Sequence, residues 1–424
     1  MSSVSLSGSS IERSLGSWGF IGRVVVPFAI GHFLSYVLRT INAVVAPALA
    51  TTVSLDAGRI GVLTSAYFLA FGLAQLPVGM ALDRFGPRQV QAVLLVLAAT
   101  GCLWFGAAHS FAEMVAARAL TGFGLAACYM ASLKAMSEWV PSARMPTMSG
   151  VFLAVGGIGA IASTLPAQYA LDTIGQSNLF FAVGGAILVA WLMIIAVVPE
   201  PVSRERRPLP SLRSLLEVYR DPTFRRTVGV VLVPHTAFFA IQGLWLGAWL
   251  TNGAGFSPQL TAAYLCAGML AMVVGTLITG RATEWANSRG YKSLDVAAVG
   301  LWLFVIMQAL IVLDMRSLAP AIAIGILLFG AFAGLEFAIV AQSVPRSLTG
   351  RASTCLNILV FFGSFVMQAG FGAVVNAFPA DVAKASSPVG YRVAFAMMLL
   401  LQLPGLLLWL VRKLRQLNVG AQRQ

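Results

Sequence analysis

The chain has 424 residues, of which 58% are hydrophobic and only 10% charged; Lys+Arg 28 against Asp+Glu 15 leaves a formal net charge of +13. A composition this apolar excludes a soluble globular enzyme and a disordered binding segment, and implies an integral membrane protein. The basic excess would suggest nucleic acid only if no membrane rule accounted for it.

Met1 to Trp18 is polar and rich in Ser and Gly, unlike the apolar core and small-residue cleavage site of a secretory signal, so the first apolar run is expected to be an anchor. A hydrocarbon core about 30 Å thick needs roughly 20 apolar residues per helix. Twelve such runs follow in order, at about 20–50, 60–82, 89–109, 113–139, 147–171, 178–199, 227–251, 259–281, 293–314, 319–343, 350–378 and 389–411.

The first run carries Arg39 near its middle, with Tyr36 one turn before it, Asn42 one turn after it and Pro47 beyond. Helical spacing puts Tyr36, Arg39 and Asn42 on one face. A cation at membrane depth is costly and is a functional-site hypothesis by default. Its compensation can be water in a cavity, a paired acid such as Glu336, or an anionic ligand.

Other polar groups in the spans are few. Arg118 lies in the fourth run and Lys134 near its inner end, where the lysine can bind anion or snorkel to headgroups. His235, Gln242, Trp245 and Trp249 fall in the seventh, and Glu336 in the tenth. A lone carboxylate in low dielectric favours a bound proton, and histidine changes charge near neutral pH. Glu336, His32 and His235 are therefore the candidate proton carriers, with structural pairing and helix packing as their alternatives. Arg118 is always charged and can only tune a neighbour.

Charge fixes the expected orientation. With the amino terminus inside, the tails and even-numbered connections hold 21 Lys and Arg, and the opposite face holds only Arg59, Arg316, Lys384 and Arg392. That is the positive-inside pattern, with both termini cytoplasmic, and it leaves nothing for nucleic acid to explain. Cys102, Cys128, Cys266 and Cys355 all fall in apolar runs without ligand spacing, so no metal site, cofactor or disulfide framework is expected.

The chain divides once. Residues 199–226 are rich in Pro and Arg, with apolar periodicity at Leu209, Leu212, Leu215, Leu216 and Tyr219 that suggests a surface helix. Six spans lie on each side, giving an N-terminal bundle at 1–198 and a C-terminal bundle at 227–424. The halves echo each other: Gly79-Met80-Ala81-Leu82-Asp83 has a counterpart in Gly280-Arg281-Ala282-Thr283-Glu284, and Val140-Pro141 in Val344-Pro345. The expected fold is all-α, with twelve transmembrane helices in two pseudo-symmetric six-helix bundles.

The segment Gly79-Met80-Ala81-Leu82-Asp83-Arg84-Phe85-Gly86-Pro87-Arg88 resembles the signature between helices 2 and 3 of the major facilitator superfamily. Arg118-Ala119-Leu120-Thr121-Gly122-Phe123-Gly124 resembles its helix-4 motif, and the first helix resembles those of its organic-anion and organophosphate branches through Tyr36, Arg39, Asn42 and Pro47. The resemblance implies alternating-access transport of a small anion. It gives substrate contacts to Arg39, Tyr36, Asn42 and Lys134, and proton coupling to the neighbourhood of Arg118; Gln242 and Trp245 are substrate candidates by their place in the seventh run, whose aromatic residues can line the cavity or face lipid. It gives gating to Gly79, Asp83, Arg84, Gly86 and Arg88, which would latch against the start of helix 11 near Gly350-Arg351.

Two departures narrow it. The second arginine that organophosphate relatives use in helix 7 is absent, Gln242 being the polar residue there, which leans toward a carboxylate. Gly156-Gly157-Ile158-Gly159 lacks the adjacent proline of drug antiporters. The expectation is a monomeric, proton-coupled symporter of a bacterial inner membrane, with lipid, protons and a small anion as its partners. Its alternatives are proton-coupled efflux of a drug or metabolite, and a non-transporting receptor or assembly factor on the same fold. No phosphate-binding Gly-rich loop suggests an ATP-driven pump.

Overall fold

In the computed structural model, residues 19–52, 55–140, 144–199, 217–343, 349–379 and 387–421 are described. They form α1 (Ile21–Thr40, continuing after a break as Asn42–Thr52), α2 (Ala57–Phe85), α3 (Pro87–Ala107), α4 (Phe111–Trp139), α5 (Met145–Ala162) and α6 (Leu165–Ala196). The second series is α7 (Pro222–Gly253), α8 (Pro258–Ser288), α9 (Ser293–Val312), α10 (Arg316–Gln342), α11 (Thr349–Asn376) and α12 (Pro388–Ala421).

Eleven of these helices are long and apolar enough to cross a membrane, and α5 is a shorter apolar helix. Gly175, with φ +76° and ψ 170°, splits α6 into 165–174 and 176–196. The first piece prolongs α5 beyond Ser163 and Thr164, so the twelve expected spans are all represented. The pattern follows from the solvent: in hydrocarbon only a helix satisfies its own backbone polar groups.

Residues 1–40 and 66–210 group by contact into one unit, and residues 41–65 and 211–424 into a second. Residues 41–65, which sequence order places with the first six spans, thus make their contacts within the second unit. Of the expected surface helix of the linker, Leu209 to Leu216 lie outside the described residues, as do Val344 and Pro345, while residues 217–220, with Tyr219, are helical.

In the first unit α3 packs against both α4 and α6. Two glycines of the Arg118 motif permit close approach to α4: a Cβ on Gly124 would collide with the backbone nitrogen of Ala98 on α3, and one on Gly122 with the carbonyl oxygen of Tyr67 on α2. Small residues at such crossings let backbones approach closely where no hydrophobic effect drives association. Ser110 starts α4 with a capping box, its Oγ accepting from the Glu113 amide at 3.2 Å while Glu113 Oε2 accepts from the Ser110 amide at 3.1 Å.

In the second unit α8 packs on α10, α7 on α11, and α9 on α12. Gln308 and Gln402 exchange amide hydrogen bonds of 3.2 and 2.9 Å between α9 and α12, a buried polar pair that satisfies itself. At the α9–α10 turn Asp314 adopts φ +59°. Hydrogen bonds from Arg316 hold its carboxyl below the usual carboxylate range.

Candidate functional site

Besides the Gly175 break in α6, irregular turns interrupt α1, α4, α7 and α10, at corresponding places in the two halves of the chain. α1 breaks at Ile41 and α4 at Ala126–Ala127; α7 contains π turns at Ile241–Trp245 and Trp249–Gly253, and α10 a 3-10 stretch at Ala331–Gly334. Broken helices at matching positions of a repeat are a mark of a binding site, because they free backbone groups and let side chains turn inward. The chemistry-bearing residues lie at these points: Arg39 two residues before the first break, Gln242 and Trp245 inside a π turn, and Glu336 two residues after the 3-10 stretch.

In the first unit, the Arg39 side chain is buried and its guanidinium carbon stands 4.4 Å from the centre of the Tyr36 ring and 5.4 Å from that of Phe71. Two ring faces hold the planar fork in orientation, a cation–π arrangement that strengthens when desolvated. The signal for Phe71 was present as the aromatic spacing Tyr67, Phe68, Phe71 on α2, but only packing shows which ring reaches Arg39.

Arg118 supports this segment from α4. Its Nη2 donates to the carbonyl oxygen of Leu38 at 3.1 Å, in the last turn before the α1 break, and its guanidinium lies 5.1 Å from the Tyr67 ring centre. Thr40 Oγ1 and Ser163 Oγ, 2.7 Å apart, tie the same turn to the end of α5.

His32 packs its ring 5.2 Å from Tyr36, 5.1 Å from Tyr129 and 6.3 Å from Phe152. Neither ring nitrogen has a hydrogen-bond partner among the described residues. Its ring neighbours are aromatic, and among the described residues no hydrogen bond joins it to a carboxylate. Asn42, beyond the break, donates to Thr64 Oγ1 at 2.8 Å in the second unit.

Lys134 Nζ contacts Asp83 of the Gly79–Arg88 segment, the two side chains being 27% and 35% exposed. Arg88 anchors that segment on the end of α6, donating to the carbonyl oxygens of Ile195 at 2.6 Å and Ile194 at 3.4 Å, where helix carbonyls lack partners of their own. Gly86 needs its φ of +79° to turn into α3, which then begins with Pro87. Gly79 has open space where a Cβ would stand, and Arg84 is exposed beside Phe85.

In the second unit, His235 Nδ1 and Glu336 Oε1 are 2.5 Å apart, linking α7 to α10. The histidine side chain is 4% exposed and the carboxylate 0%. Phe239 and Phe337 flank the imidazole, with ring centroids 4.7 and 6.0 Å away. The sequence offered these two residues separately, and the fold makes them one group.

Gln242 donates to the thioether sulfur of Met272 at 2.9 Å, and Trp245 Nε1 donates to the carbonyl oxygen of Gln368 at 3.2 Å. Gln368 was missed: it is fully buried on α11, and neither atom of its side-chain amide has a partner among the described residues. The rule that flagged Arg39, a polar side chain in an apolar run, would have found it. Among the described residues no cluster of His, Cys, Asp and Glu could hold a metal ion.

Residues 28–368 match the Major Facilitator Superfamily. The chain is 24% identical over 372 residues to an Escherichia coli (strain K12) protein named "Probable L-galactonate transporter", covering 82% of this chain and 80% of that one. It is also 24% identical over 338 residues to a "Probable sulfoacetate transporter" of Cupriavidus necator, covering 76% and 78%. The hexuronate transporter of Escherichia coli (strain K12) is 29% identical over 164 residues, 39% of this chain and 38% of that one. Among solved structures, a bacterial homolog of the human lysosomal transporter Spinster superposes with a TM-score of 0.74 at 17% identity, covering 91% of this chain and 95% of that one. A D-xylose-proton symporter does so with 0.65 at 13%, covering 89% and 96%. These two likenesses establish the fold.

Proposed function

The chain belongs to the Major Facilitator Superfamily, and from that premise we propose that this multi-pass membrane transporter carries a small organic acid of the sugar-acid type across a bacterial inner membrane, in symport with protons. The observation that carries the reading is the buried Arg39 fork, held between the Tyr36 and Phe71 rings at the break of α1. A guanidinium so oriented can take both oxygens of a carboxylate in two parallel charge-assisted hydrogen bonds. Relatives that span most of the chain are named as carriers of galactonate and sulfoacetate, both acids.

Within this reading Arg39 and Tyr36 bind the acid group, and Arg118 positions the α1 turn that carries them. Asn42 steadies the start of the second piece of α1 through Thr64. Lys134 serves the Asp83 segment in place of the substrate. Both termini face the cytoplasm, as the asymmetry of basic residues requires.

The test is thermal unfolding of the detergent-purified protein with galactonate, galacturonate, sulfoacetate, inorganic phosphate and uncharged galactose, since a compound that binds the folded state raises its melting temperature. Galactonate or galacturonate is expected to stabilise, and galactose not. Arg39→Lys keeps the charge but loses the fork, and is expected to weaken binding at least about tenfold, or 1.4 kcal/mol. Arg39→Ala is expected to abolish binding while the protein elutes as one symmetric species. A well-folded Arg39→Ala protein with unchanged affinity for the acids would end this reading.

A further inference from the structure

We propose that His235 and Glu336 form a single proton-binding site, and that its charge change balances that of the anion site, so that one proton accompanies each monovalent anion and transport moves no net charge. The inference rests on the anion reading of Arg39 and adds the coupling site, its stoichiometry and its electrical signature.

The two groups are 2.5 Å apart across α7 and α10, the carboxylate is wholly buried, and its second oxygen Oε2 has no hydrogen-bond partner among the described residues. At that distance one proton serves both residues: imidazolium with carboxylate and imidazole with carboxylic acid are two descriptions of the same loaded pair. With the proton the pair is neutral. Without it the pair carries one negative charge, beside the Phe239 and Phe337 rings.

Among the described residues, no hydrogen bond or ion pair joins another ionisable group of the adjoining elements to the pair. Arg225 and Arg226 are exposed at the start of α7, and Arg351 lies at the start of α11. Asp295 of α9 is engaged by Lys413 and Trp409 of α12, Arg392 of α12 by Asp314 and the Val312 carbonyl, and Tyr391 by Asn252. Cys355 of α11 accepts at its carbonyl from Tyr219.

Charge bookkeeping then gives a coupling rule. Binding a monovalent anion at Arg39 changes the buried charge by −1, and binding a proton at the His235–Glu336 pair changes it by +1. Arg118 is permanently ionised and enters neither change. The empty and the fully loaded carriers therefore hold the same buried charge, whereas a half-loaded carrier differs from both by one unit. An uncompensated charge is strongly disfavoured in a closed, low-dielectric interior. Passage through the closed state is thus open to the empty and the fully loaded forms and blocked to the half-loaded ones, which is symport of one anion with one proton.

The test uses the full-length protein in liposomes, with L-galactonate as the monovalent probe and the membrane potential clamped by potassium and valinomycin. An inward proton gradient is expected to drive accumulation in the wild type, at rates independent of the clamped potential. Glu336→Gln keeps a hydrogen bond to His235 but cannot take up the proton. It should lose gradient-driven accumulation at least tenfold while keeping substrate counterflow at equal pH within about twofold. His235→Gln should move the pH profile of accumulation, which a merely structural role would not do.

A ligand-free arm reads the pair directly. Infrared difference spectra between acid and alkaline pH should contain carboxyl and imidazole bands that both substitutions remove. Wild-type accumulation by Glu336→Gln, a rate that follows the clamped potential, or unchanged infrared bands in both variants would overturn the proposal. Wild-type liposomes inert toward every acid, with the infrared bands present, would instead sink the anion reading and leave the proton site standing.

Discussion

At the scale of single residues, Gly156 shows how little space the proposed anion site has. A Cβ at this position of α5 would stand 2.7 Å from the Tyr36 ring and 3.0 Å from His32 Nε2, closer than real Cβ atoms come without something shifting. Tyr36 is the ring beneath the Arg39 fork, so the added methyl acts on Arg39 through it. Gly156→Ala is expected to weaken binding of galactonate about three- to tenfold, or about 0.6 to 1.4 kcal/mol, within what a displaced cation–π partner is worth. The melting temperature of the ligand-free protein should fall by only a few degrees, as for modest overpacking. Gly150→Ala is the control, since it lies on the same helix and a Cβ there has open space. Equal affinity in wild type and Gly156→Ala would show that Tyr36 does not position Arg39.

Among elements, the Gly79–Arg88 segment between α2 and α3 separates anchoring from switching. Arg88 is fixed on the α6 carbonyls, whereas Asp83 meets Lys134 in a partly exposed pair. Partly exposed pairs contribute about 0–1 kcal/mol, so this one is cheap to break and suits a contact made in one state and released in another. Asp83→Asn should therefore reduce transport severalfold while leaving the affinity for galactonate within about threefold, since a shifted conformational equilibrium changes apparent affinity only by the competent fraction. Lys134→Gln should behave in the same way. A selective loss of affinity in Lys134→Gln alone would return this lysine to the substrate site, where the sequence pattern had put it. That pattern could not do otherwise, because position within α4 is legible in one dimension and the partner is 51 residues away.

On the scale of the whole molecule, what the sequence disclosed and what it concealed follow from one distinction. Apolar runs are long-range averages, so the spans, the halves and the solitary polar residues Arg39 and Glu336 can be read from composition along the chain. The breaks at Ile41, Ala126–Ala127 and Ala331–Gly334 leave hydropathy unchanged, and the meeting of His235 with Glu336 joins residues 101 apart, so both are products of packing. The same holds for residues 41–65, which make their contacts in the second unit. There Ala43 lies against Gly247 so closely that any Cβ on the glycine would strike the Ala43 carbonyl. Beside it, Ala46, Pro47, Ala50, Leu55, Asn252 and Tyr391 enclose a small cavity. Alternating access requires one end of a carrier to close by helix contact that can be undone, and a contact that tolerates no side chain is one a single substitution can prevent. Gly247→Val should hold the second piece of α1 away from α7 and lower transport at least tenfold without unfolding the protein. In a cysteine-free background, a cysteine at Ala50 should then react with a membrane-impermeant thiol reagent faster than the same cysteine beside Gly247. Equal reactivity in the two backgrounds, together with normal transport, would mean that this junction is fixed packing and that closure is made elsewhere.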